Sequence, residues 1–149
     1  MELTELFEAE NISLDFKAQD KDEALHNLSK LICKKREYLE TDKVYSILKE
    51  REELGSTGIG NEVAIPHGKI PVIDNIIGAV AISKKGVEFD AIDQKPVKIF
   101  FALLTGVEST SLHLKILAKI SRLLMKEDFR QALLNINSIT DLKNLLKNR

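Results

Sequence analysis

The run Val97-Lys98-Ile99-Phe100-Phe101-Ala102-Leu103-Leu104 leaves little choice about what must surround it. A strand sends alternate side chains to opposite faces, so a segment apolar at both parities needs cover on both sides. The apolar stretch falls far short of the ~18 to 20 residues of a bilayer-spanning helix, which makes it a central strand of a water-soluble sheet. A second run, Ile76-Ile77-Gly78-Ala79-Val80-Ala81-Ile82, also reads as a strand. Helical stripes supply the cover. Asp20 followed by Glu23 forms a capping-box pattern ahead of Ala24, Leu25, Leu28, Leu31 and Ile32. Thr41 or Asp42 is placed to cap a helix carrying Val44, Ile47 and Leu48 and ending at Gly55. Ser111 to Met125 gives a helix with Ile116, Leu117, Ile120 and Leu124 on one side, and another is expected over Asp128 to Leu134. Ser138 with Asp141 caps a last one bearing Leu142, Leu145 and Leu146. A short helix over Leu3 to Glu8, a half-buried strand over Ile12 to Phe16, and a strand or turn over Gly86 to Asp90 complete the pattern. The expectation is one α/β domain over residues 1–149, a central mixed β-sheet layered between helices on both faces, with strand order open.

Charge and cysteine content narrow the partners. The 22 basic and 23 acidic side chains nearly cancel, and no basic stripe with interleaved aromatics is present, so nucleic acid is not expected. The single cysteine, Cys33, has no internal disulfide partner and lies beside an apolar stripe, where a structural thiol is the simpler reading. Met1-Glu2-Leu3-Thr4-Glu5 contains no basic segment leading into an apolar one, which points to a cytoplasmic protein without direct membrane insertion.

Chemistry concentrates between Gly55 and Gly68, in Gly55-Ser56-Thr57-Gly58-Ile59-Gly60-Asn61-Glu62-Val63-Ala64-Ile65-Pro66-His67-Gly68. Proline fixes its own φ and glycine removes a side chain, so His67 is framed for display at a strand end with space beside it. The glycines at 55, 58 and 60 allow main-chain N–H groups to converge on an anion such as phosphate, or else form a helix cap followed by turns. Their G-x-x-G-x-G spacing matches neither dinucleotide nor nucleotide loops. Arg51 continues the apolar face of the preceding helix, where it either reaches the histidine region or complements the helix C-terminus. His113 precedes Ile116, Leu117 and Ile120 by three, four and seven residues, hence faces inward near the start of its helix. It is either a neighbour of His67 or a satisfied, partly buried histidine. His26 lies off its stripe and reads as surface. No H-x-x-x-H, H-E-x-x-H or paired cysteines suggest a metal, and no G-x-S-x-G suggests a hydrolase that would use Ser56 or Thr57. Histidine as its own nucleophile needs only an open neutral nitrogen, a neighbour that fixes the tautomer and donors for the transferring group.

Arg51-Glu52-Glu53-Leu54-Gly55-Ser56-Thr57-Gly58-Ile59-Gly60-Asn61 followed by Ala64-Ile65-Pro66-His67-Gly68 closely resembles the active-site signature of the type-2 enzyme IIA domain of the bacterial phosphoenolpyruvate-dependent phosphotransferase system, the fructose and mannitol family. The likeness extends through Phe89-Asp90-Ala91-Ile92-Asp93, Pro96-Val97, Phe101-Ala102-Leu103-Leu104 and His113-Leu114 with Leu117-Ala118, and so covers essentially the whole chain. It implies that His67 accepts a phosphoryl group from the small phosphocarrier protein HPr and passes it to a cysteine of a IIB domain. Arg51 and His113 are the positions matching the family's active-site arginine and second histidine, and loop N–H groups near Ser56 and Thr57 are expected to add phosphate donors. Neither metal nor nucleotide cofactor is implied. No IIB-type phosphocysteine loop surrounds Cys33 and no IIC portion is seen, so a free-standing IIA protein is expected. Phe89-Asp90-Ala91-Ile92-Asp93 and Phe101-Ala102-Leu103-Leu104 are similar to the nitrogen-regulatory branch, which acts on regulatory protein targets. Ser121-Arg122-Leu123-Leu124-Met125-Lys126-Glu127 with Phe129-Arg130 is similar to fructose-type uptake proteins, and the balance goes to the regulatory branch. A non-catalytic interaction module with a buried His67 is the reading from a different class.

Overall fold

Two long antiparallel strands carry the sheet because they hold the two longest β-branched and apolar runs of the chain. The computed structural model describes residues 1–149. In chain order it contains α1 (Leu3–Leu6), β1 (Ile12–Ser13), α2 (Lys21–Cys33), α3 (Thr41–Glu53), β2 (Gly58–Gly60), β3 (Val63–Ala64) and β4 (His67–Lys69). There follow β5 (Ile76–Val87), β6 (Val97–Thr105), α4 (Thr110–Leu124), α5 (Glu127–Leu134) and α6 (Ile139–Leu146). The sheet has the order β1-β5-β6-β3-β2, with β4 also on β6. It is mixed: β5 and β6 are antiparallel, whereas β1 on β5 and both β3 and β4 on β6 are parallel.

The alternation along β6 divides the interior in two. Ile99, Phe101 and Leu103 enter a core shared with α1, α4, α5 and α6, and Phe100, Ala102 and Leu104 enter one shared with α2 and α3. All six are at most 1% exposed, so each large side chain contributes about 1.5–3 kcal/mol of apolar burial. Phe101 meets Phe7 edge-on at 5.2 Å on the first face, and Phe100 meets Phe16 at 5.2 Å and Phe89 at 5.4 Å on the second. The α/β layering expected from that run is therefore the observed architecture.

Local details differ from the sequence expectations. The strand expected over Ile12 to Phe16 is reduced to Ile12–Ser13, because Ser13 Oγ turns to the Asp15 carboxylate and the chain bends. Neither Thr41 nor Asp42 caps α3. Glu40 takes that position without a side-chain bond, while the far end is as expected, with Leu54 as the C-cap and Gly55 following it at a φ of 151°. Asp20 and Ser138 do cap, accepting from the backbone N–H of Glu23 and Asp141. The Gly86 to Asp90 segment is strand as far as Val87, entered through a register irregularity between Ile82 and Val87 that includes Gly86, whose φ of 86° favours glycine. No helix is long and apolar enough to cross a membrane.

The sheet topology fixes the place of the histidines. β3 and β4 lie end to end along β6, pairing Ala64 with Phe100 and His67 with Leu103. Pro66 interrupts them because it has no N–H to give, while its carbonyl accepts from Leu103 N at 2.9 Å. His67 therefore sits beside the C-terminal end of β6, and the chain leaving β6 turns through Gly106 into α4, which returns His113 to the same edge.

Candidate active site

His67 opens β4 half-buried, with Nδ1 2.8 Å from the carbonyl oxygen of Ile65. A carbonyl only accepts, so Nδ1 carries the proton and the neutral ring keeps its lone pair on Nε2. Burial pushes the imidazole below its ordinary pKa of 6.5 and the Arg51 cation pushes the same way, against the Ile65 bond and the Glu52 charge. The ring is neutral at pH 7. Its closest aromatic neighbour is His113, with ring centres 5.3 Å apart and planes at 53°.

His113 is 6% exposed and hydrogen-bonded through Nδ1 to the hydroxyl of Thr105, the last residue of β6. That hydroxyl is fully buried and has this one side-chain partner, so its proton belongs on the bond, since the opposite arrangement strands an O–H in the interior. The neutral His113 ring then carries its own proton on Nε2. Burial first, then the His67 ring and the Lys69 cation facing it, push its pKa down to about 4.

Arg51 stands in the last turn of α3, where its Nη1 donates to Gly55 O at 2.9 Å. It satisfies both roles left open by its position, because it caps the chain leaving the helix and lines the same cleft as His67 and His113. Gly68 makes this approach feasible: a Cβ there would lie 2.3 Å from Ile47 Cγ2 on α3. Lys69, absent from the sequence expectations, also lines the cleft and donates to Thr110 Oγ1 at 2.8 Å. Its signal was present, since a residue two places after His67 on a strand shares its face. Glu50, Glu53 and Leu54 form the outer wall.

The structure brings together Arg51, His67 and His113 and leaves Ser56 and Thr57 outside the cleft lining. Thr57 is 3% exposed, and both its N–H and its hydroxyl donate to Glu52, so the phosphate contact expected of it does not fit its placement. Gly58 N donates to Ser56 Oγ at 3.0 Å and Gly55 N to Glu52 O at 3.1 Å. The expected anion cradle is thus mostly spent on itself, and the alternative of a helix end followed by turns describes it better. Within this loop the Ser56 N–H alone has no protein acceptor. Gly58 is required by proximity, a Cβ there lying 2.8 Å from Ala91 Cβ. His26 stacks on Tyr45 at 3.6 Å and is half-buried there, away from the cleft and less open than a surface histidine. Glu52, buried behind the loop, was also missed, and nothing in its spacing distinguishes it from the exposed Glu53.

A neutral imidazole with a free Nε2, flanked by two cations and an N–H donor, suits nucleophilic attack on an anionic electrophile. Comparison with known proteins agrees with that chemistry. Residues 5–149 match the family model described as "Phosphoenolpyruvate-dependent sugar phosphotransferase system, EIIA 2". The chain belongs to this family. The EIIA type-2 family is one of phosphotransfer proteins. Among its relatives, the nitrogen regulatory protein of Bradyrhizobium diazoefficiens is 36% identical over 133 residues, covering 89% of this chain and 86% of that protein. The fructose-specific EIIA component of Haloferax volcanii is 35% identical over 137 residues, covering 92% and 89%. The crystal structure of the nitrogen regulatory protein IIA-Ntr from Neisseria meningitidis superposes with a TM-score of 0.91 at 31% identity, over 97% of this chain and 99% of that one. Regulatory and sugar-specific EIIA proteins thus stand at similar distance in sequence.

Proposed function

We propose that this EIIA protein is a cytoplasmic phosphohistidine carrier in which Nε2 of His67 takes a phosphoryl group from the phosphohistidine of HPr. The Nε2 lone pair forms the new N–P bond while the N–P bond of the donor breaks and its electron pair returns to the donor imidazole. The proton stays on Nδ1, donated to the Ile65 carbonyl throughout, so no general base is needed. Transfer through a loose transition state asks for positioning and charge stabilisation. Arg51 and Lys69 meet the equatorial oxygens as cations, and His113 offers its Nε2–H. In onward transfer the N–P bond of His67 breaks and a cysteine thiolate of a IIB domain forms the S–P bond, or the charged His67 is read directly by a regulatory protein.

The observation carrying this reading is the Nδ1–H bond to Ile65 O at 2.8 Å, which leaves Nε2 open in a cleft shared with Arg51 and His113. The nitrogen-regulatory branch is favoured by the Neisseria structure and the Bradyrhizobium relative. The Haloferax relative supports the second reading, sugar uptake of the fructose or mannitol kind. Incubation with radiolabelled phosphoenolpyruvate, enzyme I and HPr is expected to give acid-labile, alkali-stable label on the native chain and none on His67→Ala. Absence of label on both, with HPr shown to be charged, favours the non-catalytic interaction module. Transfer of that label to a purified IIB domain distinguishes uptake from regulation.

A further inference from the structure

Glu52 is a buried carboxylate in the last turn of α3, where the negative end of the helix disfavours an acid. Its side chain is 4% exposed, and a carboxylate so placed survives only if its oxygens are fully partnered. They are. Oε1 accepts from Thr57 N at 2.9 Å and pairs with Lys21 Nζ at 2.9 Å, and Oε2 accepts from the Thr57 hydroxyl. Lys21 is held in turn with its ammonium 5.0 Å from the centre of the Phe89 ring. From Thr57 the connection continues inward: its carbonyl accepts from Ile65 N at 3.0 Å, and the Ile65 carbonyl holds His67 Nδ1–H at 2.8 Å.

We propose that Glu52, neutralised by Lys21, is a positioning residue for phosphoryl transfer: by fixing Thr57 it fixes the Ile65 peptide that selects the tautomer of His67. Glu52 itself touches no reacting atom. The Thr57–Ile65 segment crosses from the loop after α3 to the approach of β4; its Thr57 end is held by the Glu52 carboxylate, and its Ile65 end by the Thr57 carbonyl and by core packing of the Ile65 side chain. Releasing Thr57 removes the polar restraint on this end and lets the Ile65 carbonyl turn away from Nδ1. The imidazole proton is then free to move to Nε2, and the nucleophilic lone pair is lost. The Glu52 charge also acts on the ring directly, opposing the effect of Arg51 on its proton affinity. This inference rests on the phosphocarrier reading, and its test separates the two.

The experiment compares native protein with Glu52→Gln, Thr57→Val and Thr57→Ser, reading the ¹⁵N shifts of the His67 ring and the single-turnover rate of transfer from phosphorylated HPr. Glu52→Gln and Thr57→Val are expected to populate the Nε2–H tautomer and to slow transfer about tenfold, while Thr57→Ser restores both. The Thr57 pair decides the matter if Glu52→Gln does not fold. Variants that melt earlier but keep the native tautomer and native rate overturn the proposal. If the native chain takes no phosphoryl group, the carrier reading falls, and the ¹⁵N shifts still decide whether Glu52 sets the tautomer.

Discussion

Two imidazoles have their centres 5.3 Å apart, and the protonation of His113, 6% exposed, is disfavoured first by burial and then by His67. His113 titrates near 6.5 in the unfolded chain and at about 4 in the folded one. Between those values the unfolded chain holds a proton that the native protein does not, so stability falls as pH drops from 6.5 towards 4 and is fully lost below both. The loss is at most about 3 kcal/mol and less where solvent screens the ring. Urea melts between about pH 7.5 and about pH 4.5 are expected to show this slope in native protein and a shallower one in His113→Asn. An unchanged slope assigns the acid sensitivity to other groups. Burial of its own ring likewise keeps His67 neutral, which the proposed nucleophilic role needs. Much of this site was legible in the sequence: Pro66-His67-Gly68, the face of Arg51 and the inward phase of His113 are local patterns. The tautomer was not, because it depends on the Ile65 carbonyl turning towards the ring. Thr57 was misjudged because its partner, Glu52, looks in sequence like any other acid near a helix end.

At the scale of elements, α3 and β4 meet where Gly68 has no side chain. A Cβ at Gly68 would lie 2.3 Å from Ile47 Cγ2, and a β-branched residue in a helix has essentially one rotamer to offer. Gly68→Ala therefore pushes the helix, at a cost of about 1–3 kcal/mol. Arg51 stands four residues after Ile47 on that helix, so the same displacement carries its guanidinium away from His67. Both a lower melting temperature and slower phosphorylation are expected, read by calorimetry and single-turnover transfer. A destabilised variant with the native rate separates the packing of α3 from the placement of Arg51. The elements themselves were legible in proportion to their local signal. β6 and the longer helices carry enough periodic apolar residues to be found to within a residue or two, whereas β5 runs five residues past its expected end at Ile82, to Val87. The two- and three-residue strands β2, β3 and β4 exist because β6 and each other are there to pair with, and no local pattern marks them. Strand order is likewise a property of partners, and the tandem pairing of β3 and β4 along β6 is what places His67 at the edge.

The whole molecule carries a formal charge of −1, too little for strong long-range steering, so a protein partner must find the cleft through the contacts at its mouth. That mouth has a mixed character. Arg51 and Lys69 are cations inside it, Glu50 and Glu53 are acids on its wall, and Leu54 stands out 85% exposed on the rim, with Leu114 61% exposed on the residue after His113. A leucine so exposed contributes almost nothing to the core, and its replacement is expected to leave folding within about 0.5 kcal/mol. Burial against a partner is where its apolar surface counts. Leu54→Asp is therefore expected to raise KM for phosphorylated HPr about tenfold while kcat and the melting temperature hold. The added acid also opposes a donor that arrives carrying a phosphoryl group, so the defect should shrink with added salt, unlike one from lost apolar contact alone. Leu54→Ala separates these contributions, since it removes the contact without the charge. A fall in kcat with KM unchanged in either variant would mean that Leu54 supports the arrangement of Arg51 and His67 rather than the encounter. The proposed phosphorylation of His67 would add close to two negative charges to the same mouth, so a rim that holds the uncharged form by apolar contact would meet its next partner with altered electrostatics.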